Sequence, residues 1–170
     1  MTDPTYAKPE TLDETLLFLK RHGADTCLLA GGTDVMVDLR SGKLKIPYLM
    51  DISRLPELQG IALWEEGLSI GAGVTISEIY ASPLVREHAP SMLKACAFFG
   101  SPQIRNVATI GGNVGNASPS ADTVPSLLVH ETKAVLAGSS GERTVAVENL
   151  FDGPYQSGIR PDELILRFIL

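Results

Sequence analysis

The chain has 170 residues, 44% of them hydrophobic, and a formal net charge of −6, so it can bury one sizeable core but offers no basic surface for nucleic-acid phosphates. No apolar run reaches the roughly 18 residues of a membrane helix, and Met1-Thr2-Asp3-Pro4 lacks the basic-then-apolar order of an export signal. With two cysteines, Cys27 and Cys96, in apolar surroundings and outside any CxxC spacing, the expectation is a cytoplasmic protein with reduced thiols and neither membrane nor nucleic-acid partners.

Leu12, Leu16, Leu17 and Leu19 fall at near-helical spacing between a Thr11 or Asp13 cap and the stop at Gly23, which predicts a helix over 12–22. Thr26 to Ala30 reads as a buried strand that runs straight into Gly31-Gly32. Val35 to Leu39 is a brief helix or an extended crossing, Gly42 and Pro47 punctuate a loop, and Tyr48 to Ile52 is a second strand. Helix, strand, glycine turn and strand make a small α/β lobe, residues 1–54.

From residue 55 to 170 the texture changes. Ile61–Leu63 and Leu68–Ile70 around Trp64-Glu65-Glu66-Gly67 form a hairpin signal. Ile76–Tyr80 reads as a short helix and Ala89–Phe99 as a longer one, with Pro90 near its start and Gly100 past its end. A helix begins near Asp122, a second hairpin joins Ala134–Leu136 to Arg143–Val147, and Leu164–Leu170 is a last strand. The fold class is therefore α+β, a small N-terminal α/β lobe beside a larger lobe of antiparallel sheet and helices.

The candidate chemistry lies in two glycine-paired turns, Ala30-Gly31-Gly32-Thr33-Asp34 and Thr109-Ile110-Gly111-Gly112-Asn113. Glycine lets a backbone approach a ligand closely and turn its amides towards phosphate oxygens. The two turns are expected to converge on one anionic ligand. The second sits in Ser101–Asp122, a stretch poor in charge and rich in short polar side chains, too long for an ordinary connector of about 4–6 residues. Other motifs are weak. Gly71-Ala72-Gly73 has Ile76 where a dinucleotide fingerprint needs its third glycine; His22, His88 and His130 are too dispersed for a metal site; and no G-x-S-x-G nucleophile elbow occurs.

Ala30-Gly31-Gly32-Thr33-Asp34, Gln103-Ile104-Arg105-Asn106, Thr109-Ile110-Gly111-Gly112-Asn113 and Ala117-Ser118-Pro119-Ser120-Ala121-Asp122 resemble the flavin-binding medium subunit of the molybdenum hydroxylases, the group of xanthine dehydrogenase and carbon monoxide dehydrogenase. The resemblance covers nearly the whole chain. It implies a two-lobed FAD-binding domain of the vanillyl-alcohol-oxidase type, shared with the flavin reductase of cell-wall precursor synthesis. It also implies site residues. Leu29, Ala30, Gly31, Gly32, Thr33, Asp34 and Val35 would form the first loop under the pyrophosphate, and Thr109, Gly112 and Asn113 the second. Asn116 and Asp122 would reach pyrophosphate, ribityl or ribose hydroxyls, Phe99 and Gly100 would lie near the adenine or diphosphate, and Ile165 near the isoalloxazine. Arg105 either adds positive potential or makes a structural ion pair, and Asp122 is equally suited to capping the helix that follows.

The resemblance further implies a molybdopterin-binding large subunit and a [2Fe-2S] small subunit as partners, with NAD or another acceptor receiving electrons from the flavin. No residue of this chain need act as acid or base, since the cofactor carries the redox chemistry. A separate C-terminal domain that flanks the flavin in this family is absent from the chain, which is either a naturally short subunit or a fragment. Two other readings stand beside this one: a self-contained flavin oxidase or reductase of the same fold, and a non-catalytic scaffold subunit.

Overall fold

In the computed structural model, which describes residues 3–170, the N-terminal part alternates strand and helix: β1 (Thr5–Ala7), α1 (Leu12–His22), β2 (Thr26–Leu29), α2 (Val35–Arg40) and β3 (Tyr48–Asp51). Met1 and Thr2, where the export-signal reading starts, lie outside the described residues. The strands pair in the order β1-β3-β2, all parallel, with Cys27 opposite Leu49 and Leu29 opposite Asp51. Parallel neighbours need a crossover, and α1 and α2 provide it. Thr11 is the cap of α1: its hydroxyl accepts from the Glu14 N–H at 3.2 Å, while the Glu14 carboxylate accepts from the Glu10 N–H at 2.9 Å. Lys20, Arg21 and His22 fall in the last turn, where positive charge complements the helix dipole.

The second part is built on the antiparallel strands β4 (Ile61–Trp64), β5 (Gly67–Gly71), β6 (Lys133–Gly138), β7 (Gly141–Ala146) and β10 (Glu163–Ile169), with a small separate hairpin of β8 (Phe151–Gly153) and β9 (Gln156–Ser157). The larger sheet has the order β4-β5-β10-β6-β7. The last strand in sequence thus lies in the middle of the sheet. A bulge between Ile165 and Arg167 interrupts its pairing with β6. Helices α3 (Ile76–Ala81), α4 (Pro83–His88) and α5 (Pro90–Phe98) pack on one another, and α4 also contacts β4 and β5. The hydroxyl of Thr75 and the carboxylate of Glu78 close a reciprocal capping box at the start of α3.

Ser101–Asp122, too long for an ordinary connector, is partly helical. It holds two short helices, α6 (Pro102–Arg105) and α7 (Ile110–Gly115), before α8 (Val124–Val129). The glycines of α7 disfavour a helix by about 1 kcal/mol each relative to alanine, so tertiary contacts must compensate. Thr109 caps it, Ile110 and Val114 are buried at 0% and 1% exposure, and α7 packs on β10. Strand β1 and helix α4 are further elements that apolar periodicity alone does not reveal.

One apolar core runs through both sheets and joins Leu19 and Met50 to Ile70, Leu136 and Phe168. Among the described residues, no helix is long and apolar enough to cross a membrane.

Candidate functional site

The first glycine turn leaves β2 at the carboxyl end of a parallel strand, where open α/β sheets bind their ligands. Gly32 has φ +72°, in the left-handed region that glycine tolerates best, and the chain then bends into α2. Among the described residues, no backbone or side-chain group accepts from the amides of Gly31, Gly32, Thr33, Asp34 or Val35. Consecutive unengaged amides of this kind form an anion-binding concavity.

The second turn faces the same cleft but differs in its hydrogen bonding. The Ile110 amide donates to the Val74 carbonyl at 3.1 Å, the Gly111 amide to the Ala72 carbonyl at 2.8 Å, and the Gly112 amide to the Thr109 hydroxyl at 3.1 Å. The expectation that both turns present runs of free amides is therefore corrected: in the second, the amides from Ile110 to Asn113 are all engaged within the protein. What the second turn offers is space and side chains. A Cβ on Gly112 would meet only the Thr109 Oγ1, at 3.0 Å, whereas one on Gly111 would stand 2.7 Å from Ala72. Asn113 and Asn116 lie beside this opening on the cleft wall.

The cleft has a volume of about 500 Å³, within the range of ligand pockets. Its apolar walls come from Leu28, Ile46, Ile159, Leu164 and Ile165. One rim carries an ionic network. The carboxylate of Glu163, 5% exposed, accepts from Arg143 Nε and Nη2, both at 2.7 Å, and from the Arg160 N–H at 3.0 Å. These Arg143 bonds hold the Glu163 carboxyl below its ordinary range despite the opposing effect of burial, and they raise the guanidinium of Arg143. The exposed Arg160 guanidinium also pairs with Glu163, its Nη1 3.7 Å from Oε1, and Arg160 lines the cleft.

The structure brings together Ala30, Gly31, Gly32, Thr33, Asp34, Val35, Phe99, Thr109, Gly112, Asn113, Asn116 and Ile165 on this cleft. Leu29, Gly100 and Asp122 are not among its lining residues. Leu29 uses its carbonyl for the Ile52 amide and its side chain packs beneath Gly32. Gly100, at φ +43°, turns the chain from α5 into α6. Asp122 is exposed and makes no side-chain bond to the start of α8. Arg105 makes no ion pair among the described residues: its Nη1 donates to the carbonyls of Phe99 and Gly100 at 3.1 and 3.3 Å, and so closes the end of α5. Ala72 and Gly73 belong to the cleft, although as a fingerprint they carry no signal. Arg160, Glu163 and Thr26 also line it, and nothing in their local sequence singles them out.

Residues 2–170 match the family model described as the FAD binding domain in molybdopterin dehydrogenase. The chain belongs to this family. It is 36% identical over 142 residues to the xanthine dehydrogenase FAD-binding subunit of Escherichia coli O157:H7, covering 83% of this chain and 49% of that protein. It is 32% identical over 174 residues to the nicotinate dehydrogenase FAD-subunit of Eubacterium barkeri, covering 100% of this chain and 59% of that one. The carbon monoxide dehydrogenase structure from Hydrogenophaga pseudoflava superposes with a TM-score of 0.95 at 30% identity, over 98% of this chain and 58% of its own. The chain therefore spans roughly half to three-fifths the length of these relatives. A reductase of UDP-N-acetylenolpyruvylglucosamine from Thermus caldophilus, 17% identical with a TM-score of 0.54, shares the fold alone.

The cleft of this FAD-binding domain fits such a cofactor on its own chemistry. A diphosphate needs several donors, and unengaged amides are available from Gly31 to Val35. The free space over Gly112 admits a close approach that any side chain there would fill. The apolar wall of Leu164 and Ile165 suits a flat ring system.

Proposed function

We propose that this chain holds FAD in the cleft between the two glycine turns and is the flavin-bearing electron-transfer unit of a molybdenum hydroxylase. The observation that carries this reading is the run of amides from Gly31 to Val35 without a protein acceptor, in a chain of a family of FAD-binding domains. Charge-assisted hydrogen bonds contribute about 1.5–3 kcal/mol each, so a handful suffices to hold a diphosphate without a metal. Gly31, Gly32 and Thr33 would hold one side of it, Gly112 would leave room for it, and Asn113 and Asn116 would donate from the second turn. Ile165 and Leu164 would bound the ring, and Phe99 the adenine or diphosphate end. Bound there, FAD supplies the redox centre that links iron–sulfur donors to a final acceptor.

In this reading, residues 1–54 and 55–170 are the two lobes of a cofactor domain of the vanillyl-alcohol-oxidase type. The split into a parallel and an antiparallel sheet supports it, as does the fold shared with the reductase. The partners in this reading are a molybdopterin-binding large subunit and a [2Fe-2S] small subunit, and NAD or another small acceptor takes the electrons; relatives named as FAD subunits of dehydrogenases and a family description that names molybdopterin support a multi-subunit assembly. The free thiols of Cys27 and Cys96 support a cytoplasmic setting. Titration of the purified chain with FAD, followed by visible absorbance, tests the cofactor. Reduction of the bound flavin by substrate only when both partner subunits are present tests the assembly, and rapid reduction without them would favour a self-contained enzyme.

A further inference from the structure

We propose that Thr123 is a positioning residue of the cofactor site, clamping the carboxamide of Asn113 so that only hydrogen-bond donors face the cleft. This rests on reading the cleft as the FAD site. Thr123 is fully buried, at 0% exposure, and does not line the cleft itself. Its backbone N–H and its hydroxyl both donate to Asn113 Oδ1, at 3.2 and 2.6 Å. A backbone N–H can only donate, so the atom it meets must be the carboxamide oxygen. Rotating the amide by half a turn would set its NH₂ against that N–H and leave a buried donor unsatisfied.

With the oxygen engaged twice, its two lone pairs are used. The NH₂ of Asn113 has no partner among the described residues and remains for the cleft. Asn113 is thereby converted from an ambivalent group, able to meet donors or acceptors, into a donor alone. Such a group selects an acceptor oxygen, the chemistry of a phosphate, carbonyl or ribityl oxygen.

The local structure shows what Thr123 forgoes for this. It occupies the N-cap position of α8, where a threonine hydroxyl ordinarily accepts from an amide of the first turn. Here the hydroxyl makes no capping bond, although the Thr123 carbonyl accepts from the Leu127 amide at 3.1 Å as helix geometry requires. The side chain turns instead to Asn113, ten residues earlier.

A double-mutant cycle on the full chain tests this, read as the FAD dissociation constant from flavin fluorescence and as the thermal midpoint without FAD. Thr123→Val keeps the volume and removes the hydroxyl, and should weaken FAD about tenfold, the value of one oriented hydrogen bond. Thr123→Ser should restore near-normal affinity. In an Asn113→Ala background, Thr123→Val should cost no further affinity, even where the thermal midpoint falls. An equal loss in both backgrounds would make Thr123 merely structural and overturn the proposal, as would unchanged affinity in the single variant. If Thr123→Val does not accumulate, Thr123→Ala is read through the same cycle. A wild-type chain that takes up no FAD overturns the site assignment and the clamp with it.

Discussion

The carbonyl oxygen of Val107 occupies the space in which a side chain on Gly31 would begin. The first glycine turn is therefore in backbone contact with the segment that leads into the second, and the closeness of that contact depends on an absent Cβ. Gly31 does not have positive φ, so the constraint is steric rather than conformational. Gly31→Ala should destabilise the fold by about 1–3 kcal/mol, as overpacking does, and should also weaken FAD binding by parting the turns. Denaturant unfolding and an FAD titration of the same variant check both. Unchanged stability would mean the contact yields at no cost.

Gly111 and Gly112 are adjacent, yet their substitutions should act on different quantities. Gly111→Ala forces a Cβ to within 2.7 Å of Ala72 and should cost about 1–3 kcal/mol of stability. Gly112 is exposed, and its Cβ would meet only the Thr109 hydroxyl. Gly112→Ala should therefore leave the fold as stable, or more stable by up to about 1 kcal/mol through helix propensity, while FAD affinity falls by about tenfold or more. A Gly112→Ala protein with normal FAD affinity would displace the diphosphate from this position.

The contrast shows what a sequence discloses and what it hides. The turns, the hairpins and the helix over 12–22 are legible because apolar spacing and glycine placement are local signals. Helix α7 is not: Ile-Gly-Gly-Asn-Val-Gly has poor propensity and is helical because Ala72 and Val74 take up its first amides, a contact nearly forty residues away in the chain. Thr123 is hidden too, although only ten residues separate it from Asn113, because its bonds to the carboxamide exist only once the chain between them has folded back. Arg105 and Asp122 illustrate the converse. A charged residue within a motif invites a ligand role, but Arg105 is engaged by the carbonyls ending α5. Asp122 remains in solvent.

Glu163 and Arg143 should make the protein sensitive to acid. The folded-state pKa of Glu163 lies below its ordinary 4.5, so the unfolded chain binds the proton more readily. Stability from this pair is then fully present above that ordinary value and is lost as pH falls through the lowered, folded-state value. Glu163→Gln removes the charge at nearly constant volume and should cost about 2 kcal/mol at neutral pH, as expected of charge-assisted bonds. It should also flatten the acid limb of stability against pH. An acid limb unchanged in this variant would assign the sensitivity to another carboxylate.

Cys27 should report on the cleft from inside, with Cys96 as its fully buried counterpart. Thiolate, not thiol, attacks alkylating reagents. Burial raises the pKa of both, pushing Cys96 up to about 11, so neither should react rapidly near neutral pH. They differ in access. Cys96 is fully buried at 0% exposure, while Cys27 is half-buried and lines the cleft. Iodoacetamide followed by mass spectrometry should show slow modification of Cys27 in the native apo chain and none of Cys96 until denaturant is added. Saturating FAD should slow the Cys27 reaction further, because a ligand filling the cleft covers that wall. If Cys27 reacts at the same rate with and without FAD while the flavin is demonstrably bound, the cofactor lies away from β2 and towards the β10 side of the cleft.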